Sequence, residues 1–178
     1  KRLIADSRDA VRGMTRLVGQ LLSTARADGA RIESSADLGR AARRACQVAR
    51  ERRSFPDGAL RLRLPAEPVT VLGAEDLITE QILNLIDNAF HHGAPPVIVH
   101  IQTTGVVCVW DHGPGVDQAT LPHLTDRFFR AASLQASGFG LGLAIVHTLA
   151  EAQGAQFALY SRGVERTGLV GRIAFQLG

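Results

Sequence analysis

The chain of 178 residues has one lysine, Lys1, and a single tryptophan, tyrosine and methionine. With no lysine beyond position 1, neither the P-loop signature nor a eukaryotic-type kinase lysine can be present, so nucleotide binding needs another architecture. Two cysteines, Cys46 and Cys108, stand far apart in apolar surroundings and fit no metal or redox spacing, which excludes a disulfide framework. No apolar run is long enough to span a bilayer, and no signal-peptide pattern is present. Aromatics are too few near the basic residues for a nucleic-acid surface. Residues 1 to 58 carry 13 Lys+Arg against 7 Asp+Glu, yet only Phe55 lies among them, so they read as solvated helix faces.

What is present begins with a helical pattern from Leu3 to about Ala27, with Ile4, Val11, Val18 and Ala25 seven apart and Met14 and Leu21 in the intermediate seam. The stripe is wider than a two-stranded seam and predicts part of a small bundle, ended by Ala27-Asp28-Gly29-Ala30 and a polar linker. A chain that opens on Lys1-Arg2-Leu3 inside such a helix reads as a piece of a longer protein. Ser34 or Ser35 is the expected cap of a second helix carrying Leu38, Ala41, Ala42, Ala45, Val48 and Ala49. Strands are expected at Leu60 to Leu64 and Val69 to Leu72, and a helix from about Ala74. A hairpin over Val97 to Thr103 and Val106 to Trp110 follows, then a short helix or turn from Val116 to about His123. A helix over Gly140 to about Gln153 and strands at Gln156 to Ser161 and Leu169 to Leu177 close the chain. The order predicts an α+β fold, a two-layer α/β sandwich with helices on one face of a mixed or antiparallel sheet, preceded by one helix of a bundle.

Three stretches bear chemistry. In Glu80 to Gly93, apolar residues recur at helical spacing while Glu80, Asn84 and Asn88 stand four apart on one face. Such a file is costly to bury without partners. It reads either as a core helix whose amides bridge neighbours or as a holder of hydrated Mg²⁺ carried by a polyphosphate. Asp111-His-Gly113-Pro-Gly115 follows a strand directly. It reads as a Pro-Gly turn or as a carboxylate that accepts a hydrogen bond from the exocyclic amine of adenine, with two glycines admitting a purine closely. Gly138-Phe139-Gly140-Leu141-Gly142-Leu143 runs straight into a helix, which aims bare amides and the helix dipole at one place, as a phosphate site requires.

In this order the three stretches resemble the ATP-binding domain of bacterial sensor histidine kinases, a branch of the Bergerat-fold ATPases that also includes MutL, gyrase-type topoisomerases and Hsp90-type chaperones. Asn84 to Ala89 resembles the N box, Asp111 to Gly115 the G1 box, Arg127-Phe128-Phe129-Arg130 the F box and Gly138 to Gly142 the G2 box. The resemblance is close over about residues 60 to 178. It implies a dimerisation-bundle helix at 1–28, a linker at 29–35 and an ATP-binding catalytic domain at 36–178.

It further implies ATP and Mg²⁺ as cofactors, with Asn84 as metal ligand, Asn88 beside it at the phosphates, and Asp111 as adenine acceptor. Gly113, Gly115, Gly138, Phe139, Gly140, Leu141, Gly142 and Leu143 would complete the nucleotide site. Arg127 or Arg130 could reach the γ-phosphate from a lid over about Asp126 to Ser137, with Phe128 or Phe129 anchoring it. Glu80 sits where related ATPases place a general base; beside a histidine nucleophile it would orient metal-bound water instead. His91 and His92 occupy positions where the family has Lys or Arg and then an aromatic, which weakens the phosphate contact and makes nucleotide affinity pH-dependent.

None of the six histidines begins the family's phosphoacceptor motif, so the acceptor would precede Lys1 and this chain would bind ATP without phosphorylating itself. The resemblance implies transfer to that histidine and relay to an aspartate on a response-regulator receiver domain. It implies a homodimer through the bundle, no nucleic-acid partner, and a cytoplasmic region of a parent anchored in the bacterial inner membrane. The alternatives are an ATPase of the MutL or topoisomerase kind and a non-catalytic nucleotide-binding or dimerisation module.

Overall fold

The structure is a computed structural model, and it describes residues 34–126, 141–162 and 167–178. The bundle helix expected over residues 1–28 and most of the expected lid lie outside them. The first described element is β1 (Ser35–Asp37), followed by α1 (Leu38–Arg52), β2 (Leu60–Arg63), β3 (Thr70–Leu72) and α2 (Glu75–His92). Next come β4 (Val97–Gln102), β5 (Val106–Trp110), a 3₁₀ turn at Leu121–Thr125, α3 (Gly142–Ala152), β6 (Gln156–Ser161) and β7 (Leu169–Ala174).

Capping differs from expectation at the first helix. Ser34 and Ser35 do not cap α1: Ser35 pairs with Leu72 in a two-stranded β1–β3 ribbon, and Ser34 Oγ donates to the Gly73 carbonyl. The cap is Asp37, whose carboxylate accepts from Arg40 N–H at 3.1 Å. The short helix or turn expected from Val116 to about His123 is a turn that runs into the 3₁₀ turn at Leu121–Thr125, and the last strand ends at Ala174 rather than Leu177. The other expected elements form within a few residues of their predicted bounds.

Five strands make the main sheet in the order β2-β4-β5-β7-β6, with β2 parallel to β4 and every other pair antiparallel. Alternation assigns the faces. Val97, Val99 and Ile101 of β4, Val107 and Val109 of β5 and Ile173 of β7 face one way, into a core completed by the helices. This is the two-layer α+β arrangement the element order predicts.

The alanine face of α1 brings it close against α2, and the pair is tied at the surface by Arg40 to Glu75 and Arg44 to Asp76, both at 2.6 Å. Ala41, Ala42, Ala45, Cys46 and Ala49 are all buried. The basic residues of α1 thus meet acidic residues of its neighbour as well as solvent. At the other side α2 sits against β7 so tightly that a Cβ on Gly171 would stand 2.7 Å from Leu85 Cδ2. Both packings fix where the polar file of α2 comes to rest.

Candidate functional site

The polar file on α2 lies among buried neighbours. Asn84 is only 8% exposed, its Nδ2 donating to the Glu80 carbonyl at 2.9 Å and to Glu80 Oε1 at 3.2 Å. With the nitrogen engaged behind it, Oδ1 points the other way, toward the first residue of α3; a Cβ on Gly142 would stand 3.7 Å from it. A neutral oxygen therefore faces the end of a helix where unbonded N–H groups and the positive dipole end collect. Asn88 lies one turn further along α2 and is half-buried.

Position of α3 against α2 depends on an amide chain that sequence spacing did not single out. Gln81 is fully buried and donates from Nε2 to the Val146 carbonyl at 3.3 Å. Gln153 donates to Gln81 Oε1 and to the Leu149 carbonyl, both at 3.1 Å, and its Oε1 accepts from Ala74 N–H at 3.0 Å. The last bond satisfies a backbone donor at the start of α2, where no side chain caps. Two glutamines thereby tie the start of α2 to the end of α3.

Asp111 directly follows β5, as expected, and is 3% exposed. Its Oδ1 accepts from Gly113 N–H at 2.7 Å and Oδ2 from Leu169 N–H at 3.2 Å, an arrangement suited to the ionised, acceptor-only form. Each oxygen keeps a further lone pair for a ligand donor.

Glycines crowd the carboxylate. A Cβ on Gly93 would overlap the Asp111 carboxyl carbon, and one on Gly113 would lie 2.6 Å from Gly93 Cα. Gly113 thus serves a close approach of two protein backbones, where the sequence suggested an approach by a purine. Gly168, at φ +116°, would drive a Cβ into the Asp111 carbonyl oxygen. Gly115 takes φ +77° in the turn. Gly93, Gly168 and the Leu169 amide are site residues that spacing missed; a glycine directly ahead of a strand, at 168, was the only available signal.

Arg162 joins this corner to the outer face of the sheet. Its guanidinium lies 5.8 Å from the Trp110 ring centroid and 3.5 Å from the Asp111 carbonyl, while Arg63 approaches the same ring at 5.9 Å. The neighbouring His112 is fixed through Nδ1, 2.7 Å from the Pro96 carbonyl oxygen.

Of the remaining expected residues, Leu141 is the N-cap position of α3 and makes no side-chain capping bond. Leu143 points into the apolar core, so only its backbone is available to a ligand. His91 and His92 sit at the end of α2 with rings 6.2 Å apart. His91 is engaged by Arg53 and by the Asp87 carbonyl rather than being an isolated polar end. Arg127, Phe128, Phe129, Arg130, Gly138, Phe139 and Gly140 lie outside the described residues. Among the described residues no group of three or more His, Cys, Asp or Glu could hold a metal ion by itself, and no helix is long and apolar enough to cross a membrane.

Residues 73–173 match the family model of histidine kinase-, DNA gyrase B- and HSP90-like ATPases. The sensor histidine kinase TrcS of Mycobacterium tuberculosis is 40% identical over 104 residues, covering 50% of this chain and 20% of TrcS. The probable sensor histidine kinase TcrY of the same organism is 36% identical over 149 residues, 78% of this chain and 31% of TcrY. The chain therefore spans about a fifth to a third of the length of these relatives. Among solved structures, full-length ShkA in complex with AMPPNP aligns at TM-score 0.68 and 25% identity over 97% of this chain and 37% of ShkA. The mycobacterial sensor histidine kinase MprB aligns at TM-score 0.66 and 24% identity over 82% of this chain and all of the MprB chain, a likeness of fold. The buried carboxylate, the asparagine file and the glycine-led α3 all fall inside the matched span, and the chain belongs to the histidine kinase-, DNA gyrase B- and HSP90-like ATPases, with sensor histidine kinases as its relatives.

Proposed function

We propose that this chain is the catalytic ATP-binding region of a sensor histidine kinase, presenting the γ-phosphate of Mg²⁺-ATP to a histidine outside this sequence for relay to a response-regulator aspartate. The observation that carries the reading is Asp111: a buried carboxylate, fixed by two backbone N–H groups and walled by glycines, with lone pairs left for an exocyclic amine. Adenine offers that donor at C6, where guanine carries a carbonyl that can only accept. The file Glu80-Asn84-Asn88 lies on the helix that ends beside Asp111, so base and phosphates have separate, differently built neighbours.

The chemistry of the donors fits a magnesium nucleotide. Glu80 engages the Asn84 amide nitrogen, which leaves Asn84 Oδ1 as a hard, neutral oxygen aimed at the α3 N-terminus. Magnesium bound with the nucleotide supplies charge neutralisation at the phosphates. Glu80 acts by orienting Asn84, and Gly142 leaves the α3 N-terminus unobstructed. Arg127 or Arg130, with Gly138, Phe139 and Gly140, would supply the lid side.

Residues 36–178 are the catalytic domain in this reading and residues 1–28 a helix of the dimerising bundle, joined through 29–35. The parent is a homodimer anchored in the bacterial inner membrane with this region in the cytoplasm. Kinship with the sensor histidine kinases TrcS and TcrY supports this reading.

Calorimetric titration with ATP and GTP, with and without Mg²⁺, tests the reading in the native chain, Asn84→Ala and Asp111→Ala. The native chain is expected to prefer ATP, Asn84→Ala to lose the magnesium-dependent part of the affinity, and Asp111→Ala to lose most discrimination between the bases, roughly 1–3 kcal/mol. Equal affinity of the native chain for both nucleotides would sink the assignment of Asp111.

A further inference from the structure

The polar face of α2 continues past Asn88. His91 stands three residues beyond Asn88 and seven beyond Asn84, on the same side of the helix. Nδ1 lies 2.7 Å from the Asp87 carbonyl oxygen, which only accepts, so Nδ1 carries the proton. Nε2 lies 2.7 Å from Arg53 Nη2, and because a guanidinium only donates, Nε2 accepts. The same Arg53 Nη2 is also 3.3 Å from Nδ1, so a guanidinium, which is always charged, stands at this end of the file.

Arg53 reaches this face from another element. It is the C-cap residue of α1, its N–H bonding the Ala49 carbonyl at 3.1 Å, and its extended backbone (φ −141°, ψ 137°) turns the chain off the helix. Two residues later Phe55 stacks on Phe90, the residue before His91, with ring centroids 4.1 Å apart and planes 17° from parallel. That stack clamps the end of α1 to the end of α2. The guanidinium is therefore held in place before any ligand arrives, which lowers the ordering cost of a contact.

We propose that Arg53 is a phosphate-binding residue of this site: α1 supplies, across the Phe55–Phe90 clamp, the cation that faces the polyphosphate alongside Asn84 and Asn88. The proposal rests on the Mg²⁺-ATP reading above and names a residue for it. Arg53 commits one N–H group to His91 and keeps the rest of its fork, a geometry that matches phosphate oxygens. His91 is a positioning residue, holding the guanidinium against the asparagine face. A permanent charge at this end of the file thus comes from α1.

The test compares Mg²⁺-ATP, Mg²⁺-ADP and adenosine on the native chain and on Arg53→Gln, Arg53→Lys, His91→Lys and the Arg53→Gln/His91→Lys double variant. Affinities are read by competition against a fluorescent adenine nucleotide, with thermal melts to verify folding. Arg53→Gln is expected to weaken ATP and ADP by about tenfold or more while leaving adenosine within about twofold, the signature of a charge-assisted phosphate contact. Arg53→Lys is expected to keep part of the affinity, and the double variant to recover most of it, since lysine at 91 restores a cation to the same face. Unchanged ATP affinity in Arg53→Gln overturns the proposal. So does an equal loss for adenosine and ATP, which reports a damaged pocket rather than a lost phosphate contact. A native chain that binds no adenine nucleotide overturns the nucleotide reading first and this proposal with it.

Discussion

Cys46 shows how far burial alone can move a side chain's chemistry. It is fully buried on α1, and removal from water pushes its thiol from about 9 up to about 11, with Arg50 pulling weakly the other way. In the unfolded chain the thiol ionises near its ordinary value, so between about pH 9 and 11 the folded state holds more protons. The folded pKa is the raised one, hence the contribution to stability is intact below pH 9 and is lost as pH climbs toward 11. The size is about 2 to 3 kcal/mol. Urea midpoints at pH 8 and pH 10.5 should fall more steeply in the native chain than in Cys46→Ala, where the thiol is gone. Equal slopes would show that the thiol does not govern alkaline stability. Cys108 is raised in the same direction by burial, with Arg172 opposing, so neither cysteine is a ready nucleophile near neutral pH.

At the scale of elements, the Gln81–Gln153 chain decides how α2 and the start of α3, the proposed phosphate side, meet. It fixes α3 to the start of α2, and so fixes Gly142 relative to Asn84. Gln153→Leu would leave the Gln81 amide and the Ala74 N–H short of buried partners, at a cost of about 2 kcal/mol or more. Urea unfolding should show that loss. Titration should show ATP affinity falling more than adenosine affinity, because the proposed base pocket at Asp111 belongs to β5 and β7. A variant equal to the native chain in both would refute the coupling. The same chain shows what spacing can and cannot reveal. Glu80, Asn84 and Asn88 declare themselves because four-residue intervals share a helix face, and Asp111 because it directly follows an apolar, β-branched strand. Gln81 and Gln153 are 72 residues apart, and Arg53 and His91 are 38 apart, so their meaning exists only after α1, α2 and α3 have packed. Local sequence favours Ser34 or Ser35 as the cap, and only the packed β1–β3 ribbon shows that the serines belong to it and its flank while Asp37 caps α1.

For the whole molecule, the candidate site draws on the three described α-helices and two central strands: Arg53 from α1, the asparagine file of α2, Asp111 after β5, Gly142 at α3, and Gly168 and Leu169 at β7. A ligand held by all of them can bind only when the entire sandwich is assembled, so its binding energy adds to the stability of the fold as a unit. Ligand at about one hundred times its dissociation constant stabilises the folded state by about 2.7 kcal/mol. For a domain of this size each kcal/mol moves the melting temperature by about 2–4 °C, so Mg²⁺-ATP at that excess should raise it by roughly 5–10 °C. Scanning calorimetry makes the measurement, and a chelator supplies the control. In the native chain, chelating Mg²⁺ should remove part of the rise; in Asn84→Ala, ATP should give a smaller rise that the chelator leaves unchanged, because the oxygen facing the α3 N-terminus has gone. A chelator that acts equally on both chains would place the magnesium contact away from Asn84, and would shift the metal-holding part of the site to the lid side.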